Sequence, residues 1–175
     1  FSPIAGTIGF TGASIELVDQ LDQLGASASR IFLVGGTSAA GLALGGKLLG
    51  APYQVHAVSV GGSKESLLAS ELKLSNRVAT EVLDLPPLMT ADDFAVFDEY
   101  VGDRYGQATE ETLEAIRLLA RTEGVFLDPV YTGKAMSGLI GEIRKGTVGK
   151  DETVVFVHTG GTPIIFAYDE VLSRL

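Results

Sequence analysis

Two loops rich in glycine and hydroxyl residues follow apolar runs in this chain, and the first has the composition of an anion-binding site. Residues Gly35, Gly36, Thr37 and Ser38 directly follow the run RIFLV and open a segment of small residues that favours a helix. Glycine lets the backbone turn tightly beside a ligand, and free N–H groups at a helix start attract an anion. The loop therefore suits a phosphate monoester, although an ordinary helix N-cap would use the same residues.

Two further segments carry polar groups that could act on a bound molecule. The loop 158–161 (HTGG) follows the run TVVFV, and its glycines leave room for a planar group beside a hydroxyl residue. The segment 128–134 (DPVYTGK) brings a phenol, a hydroxyl and an amine together before a helix. From spacing alone these three groups also have structural interpretations: Tyr131 as half-buried core, Thr132 as an N-cap and Lys134 as a surface charge.

A nucleotide-binding loop is a weaker interpretation of the glycine-rich region. The segment 41–47 (GLALGGK) has the spacing of a P-loop, but Leu48 stands where Ser or Thr would hold magnesium. The match also falls inside the predicted helix, whereas a P-loop joins a strand to a helix. The dinucleotide pattern GxGxxG is absent after RIFLV, so a nicotinamide site has little support.

Short apolar runs alternate with helical periodicity along the whole chain. Strands are predicted at Arg30–Val34, Tyr53–Val60, Phe94–Tyr100 and Thr153–Val157, with a short extended piece at Gly124–Leu127. Helices are predicted at Gly12–Leu24, Ser38–Leu49, Lys64–Leu83, Glu110–Thr122 and Gly133–Lys145, and from Pro163 to the C-terminus. This alternation predicts one α/β domain over residues 1–175, built as a three-layer parallel sheet with helices on both faces.

Composition narrows the function classes. The 175 residues are 46% hydrophobic and 20% charged with a net charge of −9, which argues against a disordered chain and against nucleic acid as a partner. The absence of Cys and the presence of only two His argue against a metal site. The uncharged stretches are too short to span a membrane. FSPIAGTIGF has no basic n-region and no compact apolar h-region, so we expect no secretory signal there. We therefore expect no membrane partner and a cytoplasmic location.

The segments LDPVYTGKAMSGLI and VVFVHTGGTPIIFAY resemble the C-terminal part of a family of pyridoxal-phosphate (PLP) enzymes. This family includes D-cysteine desulfhydrase and 1-aminocyclopropane-1-carboxylate (ACC) deaminase and has the tryptophan synthase β-like fold. GFTGASIELVDQL, GTSAAGLALG and VGDRYGQATEE are similar too, so the resemblance covers essentially the entire chain. It implies the large PLP-binding domain without most of the small domain, that is, the cofactor-cradling C-terminal portion of a longer enzyme.

The resemblance also implies roles for individual residues. Gly35, Gly36, Thr37 and Ser38 would hold the PLP phosphate; Thr132, Thr159 and Gly160 would lie near the pyridine ring; Tyr105 and Tyr131 would be the active-site tyrosines beside the substrate. Thr132 stands where desulfhydrase-like members carry Thr and deaminases carry Glu. A carboxylate would keep the pyridine nitrogen protonated and a hydroxyl does not, so Thr at this position favours α,β-elimination.

We therefore expect a PLP-dependent lyase that converts D-cysteine or a similar small amino acid into pyruvate, ammonia and sulfide. An ACC deaminase-like enzyme is the alternative. The family's Schiff-base lysine lies upstream in an Asn-Lys context that no lysine of this chain shares. A non-catalytic PLP- or phosphate-binding module thus stays open, and we expect the 175-residue chain alone to lack lyase activity. Apolar edges exposed by the missing half would favour a homodimer.

Overall fold

A four-stranded sheet organises the chain in the computed structural model, which describes residues 2–169 and 173. Its strands are β1 (Ala28–Val34), β2 (Gln54–Val58), β3 (Phe94–Phe97) and β4 (Thr153–Phe156). The helices are α1 (Pro3–Gln23), α2 (Thr37–Leu49), α3 (Lys64–Glu81), α4 (Glu110–Thr122) and α5 (Thr132–Lys145). Two short 3₁₀ helices span Ala91–Asp93 and Thr162–Ala167.

All strand pairs are parallel, and the strand order across the sheet is β3-β2-β1-β4. The chain runs outward from β1 through β2 to β3 and then crosses to the other side of β1 to form β4. In the register, Ile31 of β1 lies opposite Val55 of β2 and Val155 of β4. This crossover leaves the loops after β1 and β4 side by side at the carboxyl end of the sheet, where open α/β sheets bind their ligands.

The two faces of the sheet bury separate hydrophobic cores. Ile31 and Leu33 point to one face and pack with apolar residues of α1, α2 and α3. Phe32 and Val34 point to the other face and pack with residues of α4 and α5. Alternate residues of one strand thus serve opposite cores, which requires helices on both sides. The predicted three-layer α/β architecture is confirmed.

Helix α1 begins well before the predicted start at Gly12. The Ser2 hydroxyl accepts the Ala5 N–H at its N-terminus, and Pro3 occupies the first turn. The glycines and threonines of this first half give no apolar periodicity, but they allow a close crossing with α2. A methyl group on Gly41 would lie only 2.4 Å from the Thr7 carbonyl oxygen. Close packing on α2, rather than an amphipathic pattern, accounts for this part of the helix.

The other predicted boundaries agree to different degrees. The prediction for α4 is confirmed, and Thr109 caps it by accepting the Thr112 N–H. Strands β2 and β3 are shorter than predicted, and residues 124–127 lie in neither a helix nor a strand. The helix predicted from Pro163 is wrong over residues 163–167, which belong to the 3₁₀ helix Thr162–Ala167. Five residues of the predicted helix, 170–172, 174 and 175, lie outside the described part. Within the described residues, no helix has the length and apolar character needed to cross a membrane.

Candidate functional site

A cavity of about 270 Å³ opens at the carboxyl end of the sheet, between the loops that follow β1 and β4. It is lined by Val34, Gly35, Thr37, Ser38, Tyr131 and the loop 159–161. Three segments far apart in sequence therefore meet at one place. The topology brings them together because β1 and β4 are neighbours in the sheet and α5 packs beside β1.

The loop after β1 presents the start of α2 to this cavity. Gly36 precedes the helix with φ of 117°, a backbone conformation that residues with a side chain rarely adopt. Among the described residues no side chain caps α2, so the N–H groups of its first turn point outward without a partner. An anion in the cavity would meet these N–H groups together with the Thr37 and Ser38 side chains that line it.

Glu71 of α3 lies directly behind this loop and is completely buried. Its Oε1 accepts the Gly36 N–H at 3.0 Å, and its Oε2 has no hydrogen-bond partner in the described structure. Burial raises the pKa of this carboxyl to about 8, and the Gly36 N–H opposes that rise. At neutral pH the carboxyl is therefore predominantly protonated and uncharged.

Asp128 organises the wall of the cavity that carries Tyr131. Its Oδ2 accepts the N–H groups of Val130 and Tyr131 at 2.9 and 2.8 Å. Its Oδ1 accepts the N–H and the hydroxyl of Thr132 at 2.9 and 2.7 Å. Both carboxylate oxygens of a fully buried side chain are thus satisfied. Asp128 thereby fixes the turn that begins α5.

Thr132 lies behind the cavity wall and is completely buried. Its hydroxyl donates to Asp128 Oδ1 at 2.7 Å and accepts the Asp128 N–H at 3.1 Å. A threonine hydroxyl has one hydrogen to donate, and here Asp128 already takes it. Thr132 therefore supports the wall from behind, while Thr159 lines the cavity itself.

The two tyrosines implied by the resemblance touch each other through their hydroxyl groups. Tyr131 lines the cavity, and Tyr105 lies on its outer side with 57% of its surface exposed. The hydrogen bond to Tyr105 raises the pKa of Tyr131 to about 12, and burial adds to the rise. The Tyr131 phenol is therefore protonated at neutral pH, and either hydroxyl of the pair can be the donor in their shared hydrogen bond.

The loop after β4 is held by local contacts. His158 Nδ1 accepts the Gly160 N–H at 3.1 Å, and its Nε2 lies 3.0 Å from the Phe126 carbonyl oxygen. Gly161 packs directly against Asp128, since a methyl group on it would lie 2.6 Å from Asp128 Oδ1. The carboxylate that shapes one wall therefore also limits the approach of the opposite loop.

The structure brings most of the candidate residues together. Gly35, Thr37, Ser38, Tyr131, Thr159 and Gly160 line the cavity; Gly36 forms its loop; Thr132 lies behind the wall; Tyr105 reaches it through Tyr131. The interpretation of Lys134 as a surface charge is wrong, because its side chain is buried and Nζ donates to the Val101 carbonyl oxygen at 2.5 Å.

Sequence reasoning missed the two buried carboxyls, Asp128 and Glu71. The Asp128-Pro129 pair four residues before a helix that begins at Thr132 is a local signal, because such an Asp side chain can accept the N–H groups of the following turn. Glu71 gives no local signal, since it sits among ordinary polar residues of α3 and its partner is a loop 35 positions earlier in the chain.

Comparison with known proteins gives a family match and a structural match. The family model described as pyridoxal-phosphate dependent enzyme matches residues 1–160. A solved structure described as an ACC deaminase homologue superposes with a TM-score of 0.86 at 34% sequence identity, covering 99% of this chain and 51% of that one. This chain thus spans about half the length of that relative. The chain belongs to the family of pyridoxal-phosphate dependent enzymes.

Proposed function

We propose that this chain forms the cofactor-binding portion of a PLP-dependent lyase that acts on D-cysteine or a similar small amino acid by α,β-elimination. The family membership makes PLP the cofactor. The substrate and the reaction are our inference from the resemblance of the sequence and from the cavity lining. The observation that carries it is the chemical character of the cavity lining, which offers hydroxyl groups and no carboxylate among the described residues.

The residues present fit PLP. A phosphate group needs several N–H and O–H donors, and the first turn of α2 supplies them through its free N–H groups and the Thr37 and Ser38 hydroxyls. A flat ring needs open space, and a methyl group added to Gly36 or Gly160 would meet nothing within 4 Å. Thr159 then offers its hydroxyl to the ring from the opposite loop.

The absence of a carboxylate from the lining favours elimination. When bound, PLP supplies an electron sink that stabilises negative charge at the substrate Cα. A carboxylate at the ring nitrogen would strengthen that sink, whereas a Thr159 hydroxyl leaves it weaker. Asp128 is close by, but four donors already occupy its oxygens. A weaker sink suffices when a good leaving group such as sulfide departs from Cβ.

Tyr131 is placed to hold a proton beside the substrate. Its raised pKa keeps the phenol protonated, so it acts as a hydrogen-bond donor rather than as a base at neutral pH. When Tyr105 is the donor in their shared hydrogen bond, the Tyr131 hydrogen is left to orient the substrate carboxylate or to protonate the departing sulfur. Tyr105 is bonded to the same hydroxyl and can relay a proton to solvent because it is largely exposed.

The proposed reaction balances with one water molecule. The substrate loses its Cα proton and its Cβ–sulfur bond breaks, with the electron pair leaving on sulfide. Hydrolysis of the resulting enamine consumes the water and yields pyruvate and ammonia. No oxidant or reductant is required.

The test compares substrates on the full-length protein loaded with PLP. We expect pyruvate and sulfide in equal amounts from D-cysteine and little turnover of ACC. Tyr131→Phe should lower turnover strongly, while Tyr100→Phe, which removes a phenol bonded to Glu142 on α5, should not. Release of a 2-oxo acid from ACC instead would favour the deaminase alternative. Tight PLP binding without turnover of either substrate would favour a non-catalytic module.

Association into a homodimer also remains our proposal. Several large apolar side chains are exposed on the isolated chain, among them Ile15 at 63% and Leu24 at 78% of their surface. A second copy would remove such surface from water. Light scattering on the full-length protein should give twice the mass of one chain, and a monomer at high concentration would contradict this proposal.

A further inference from the structure

Glu71 is a buried carboxyl that touches the anion-binding loop, and the function proposed above does not use it. Its side chain is completely buried, Oε1 accepts the Gly36 N–H at 3.0 Å, and Oε2 has no partner among the described residues. A buried carboxylate with an unsatisfied oxygen is costly, whereas a neutral carboxyl costs much less. The geometry therefore favours the protonated form.

The contact with Gly36 fixes the shape of the loop. The Gly35 N–H donates to the Val58 carbonyl oxygen at 2.9 Å, and the Gly36 N–H is turned away from the cavity to reach Glu71. With these two N–H groups anchored, the N–H groups of the α2 first turn are left for a ligand. Gly35 also has no room for a side chain, because a methyl group would lie 2.5 Å from Leu67.

No opposite charge reaches Glu71 to stabilise its ionised form. The charged residues on the elements packed against α3 are Glu16, Asp19 and Asp22 on α1, Lys47 on α2, Asp98 and Glu99 after β3, and Lys64, Glu65, Lys73, Arg77 and Glu81 on α3 itself. In the described structure none of them is hydrogen-bonded or ion-paired to Glu71, whose pKa is raised by burial and lowered only by the Gly36 N–H.

We propose that Glu71 is a positioning residue that couples phosphate binding to a proton: it holds Gly36 in place and stays protonated while the phosphate group occupies the loop. The inference rests on the proposed function, since it takes the phosphate of PLP as the ligand. An ionised Glu71 would place a negative charge one residue behind the phosphate in a poorly solvated site, and the two charges would repel each other. Binding of the phosphate therefore draws a proton onto Glu71.

The test measures the affinity of the full-length protein for PLP and for pyridoxal, which lacks the phosphate, between about pH 7 and about pH 9. Because Glu71 loses its proton near pH 8, the affinity for PLP relative to pyridoxal should fall about tenfold over this range. Glu71→Gln keeps an oxygen that can accept the Gly36 N–H but has no proton to lose, so the ratio should stay constant. Glu81→Gln, an exposed carboxylate on the same helix, should behave as the wild type.

A second measurement uses the wild type alone and does not depend on how the variants fold. Calorimetry near pH 8 in two buffers of different ionisation enthalpy should show about half a proton more taken up per PLP than per pyridoxal. Equal proton uptake for both ligands, or the same pH dependence in Glu71→Gln and the wild type, would overturn the inference while leaving the proposed function intact. Equal affinity for PLP and pyridoxal at about pH 7 would overturn both, because the loop would then bind no phosphate.

Discussion

The two buried carboxyls behind the cavity, Asp128 and Glu71, differ in how completely the fold satisfies them. Both side chains are fully buried. Asp128 accepts four hydrogen bonds within five residues of chain, whereas Glu71 accepts one and keeps an oxygen without a described partner. Asp128, with both oxygens hydrogen-bonded, makes one wall rigid. Glu71, with one oxygen left without a partner, makes the loop at residues 35–38 depend on whether Glu71 is protonated.

The contrast also separates two ways of building a site. On the Asp128 side, local backbone N–H groups define the turn before α5, so the wall is set by a short stretch of sequence. On the Glu71 side, a side chain from α3 reaches a loop from another part of the chain, so the shape depends on tertiary packing. In our proposal the wall set by Asp128 would face the ring, and the loop held by Glu71 would bind the phosphate.

Asp128→Asn should give the largest effect on stability. The amide nitrogen cannot accept a hydrogen bond, so two of the four buried donors lose their partner. At about 1–3 kcal/mol for each unsatisfied group, the free energy of unfolding should fall by about 2–6 kcal/mol. Denaturant unfolding measures this change, with the exposed carboxylate variant Glu114→Gln as the control expected to match the wild type. Stability equal to the control would mean that Asp128 does not hold the wall.

Glu71 should make the free energy of unfolding depend on pH. The pKa of Glu71 is raised from 4.5 to about 8 on folding, so the unfolded state releases its proton first as pH rises. The free energy of unfolding should therefore fall between about pH 4.5 and pH 8 and lose nothing further from this group above pH 8. Glu71→Gln should remove that fall when unfolding curves are compared across the range. If the free energy of unfolding changed with pH to the same extent in the wild type and in Glu71→Gln, the raised pKa assigned to Glu71 would be contradicted.

Alanine substitutions at the glycines of the two loops should sharpen the comparison. Gly36 and Gly161 both have positive φ, so either change should cost about 1–3 kcal/mol of backbone strain. Gly161→Ala should be the worse of the two, because its methyl group meets Asp128 at 2.6 Å whereas that of Gly36→Ala meets nothing within 4 Å. Gly9→Ala in the open face of α1 is the control, expected to be neutral or stabilising. Equal decreases in the free energy of unfolding for Gly36→Ala and Gly161→Ala would show that Asp128 can shift to accommodate the added methyl group.

Thr159→Val should have the smallest effect and act on binding. Loss of one neutral hydrogen bond to the ring should cost about 0.5–1.5 kcal/mol, or about two- to twelvefold in PLP affinity. Thr162→Val removes a hydroxyl that contacts the Phe126 carbonyl oxygen instead and should bind PLP as the wild type does. Fluorescence titration of both variants decides between them, and an unchanged affinity for Thr159→Val would place the ring elsewhere.

The sequence predicts best those helices and strands whose formation depends on residues within the element itself. Helix α4 follows from the Thr109 cap and a strongly amphipathic pattern, and β1 from a continuous apolar run. The first half of α1 was missed because its glycines and threonines form a helix through close packing on α2. The burial of Lys134 was missed for a similar reason, since only the fold brings the Val101 carbonyl oxygen to its amine.

For the site, the sequence predicts the residue types and the loops that carry them. It does not predict which residues line the cavity and which are buried behind its wall. Thr132 and Thr159 are both hydroxyl residues near glycines, yet one is sealed behind Asp128 and the other lines the cavity. That difference depends on which way the turn at 128–132 faces, and the Asp128 hydrogen bonds decide it. The role of Glu71 depends on the position of α3 against the loop, which no spacing in the sequence encodes.

The most direct test of the central claim is a crystal structure of the full-length protein with PLP bound. We predict that the phosphate lies within hydrogen-bond distance of the N–H groups at the start of α2, beside Thr37 and Ser38, with the ring next to Thr159. A phosphate bound away from residues 35–38, or a ring nitrogen paired with a carboxylate, would contradict the account of this cavity and of the reaction proposed for it.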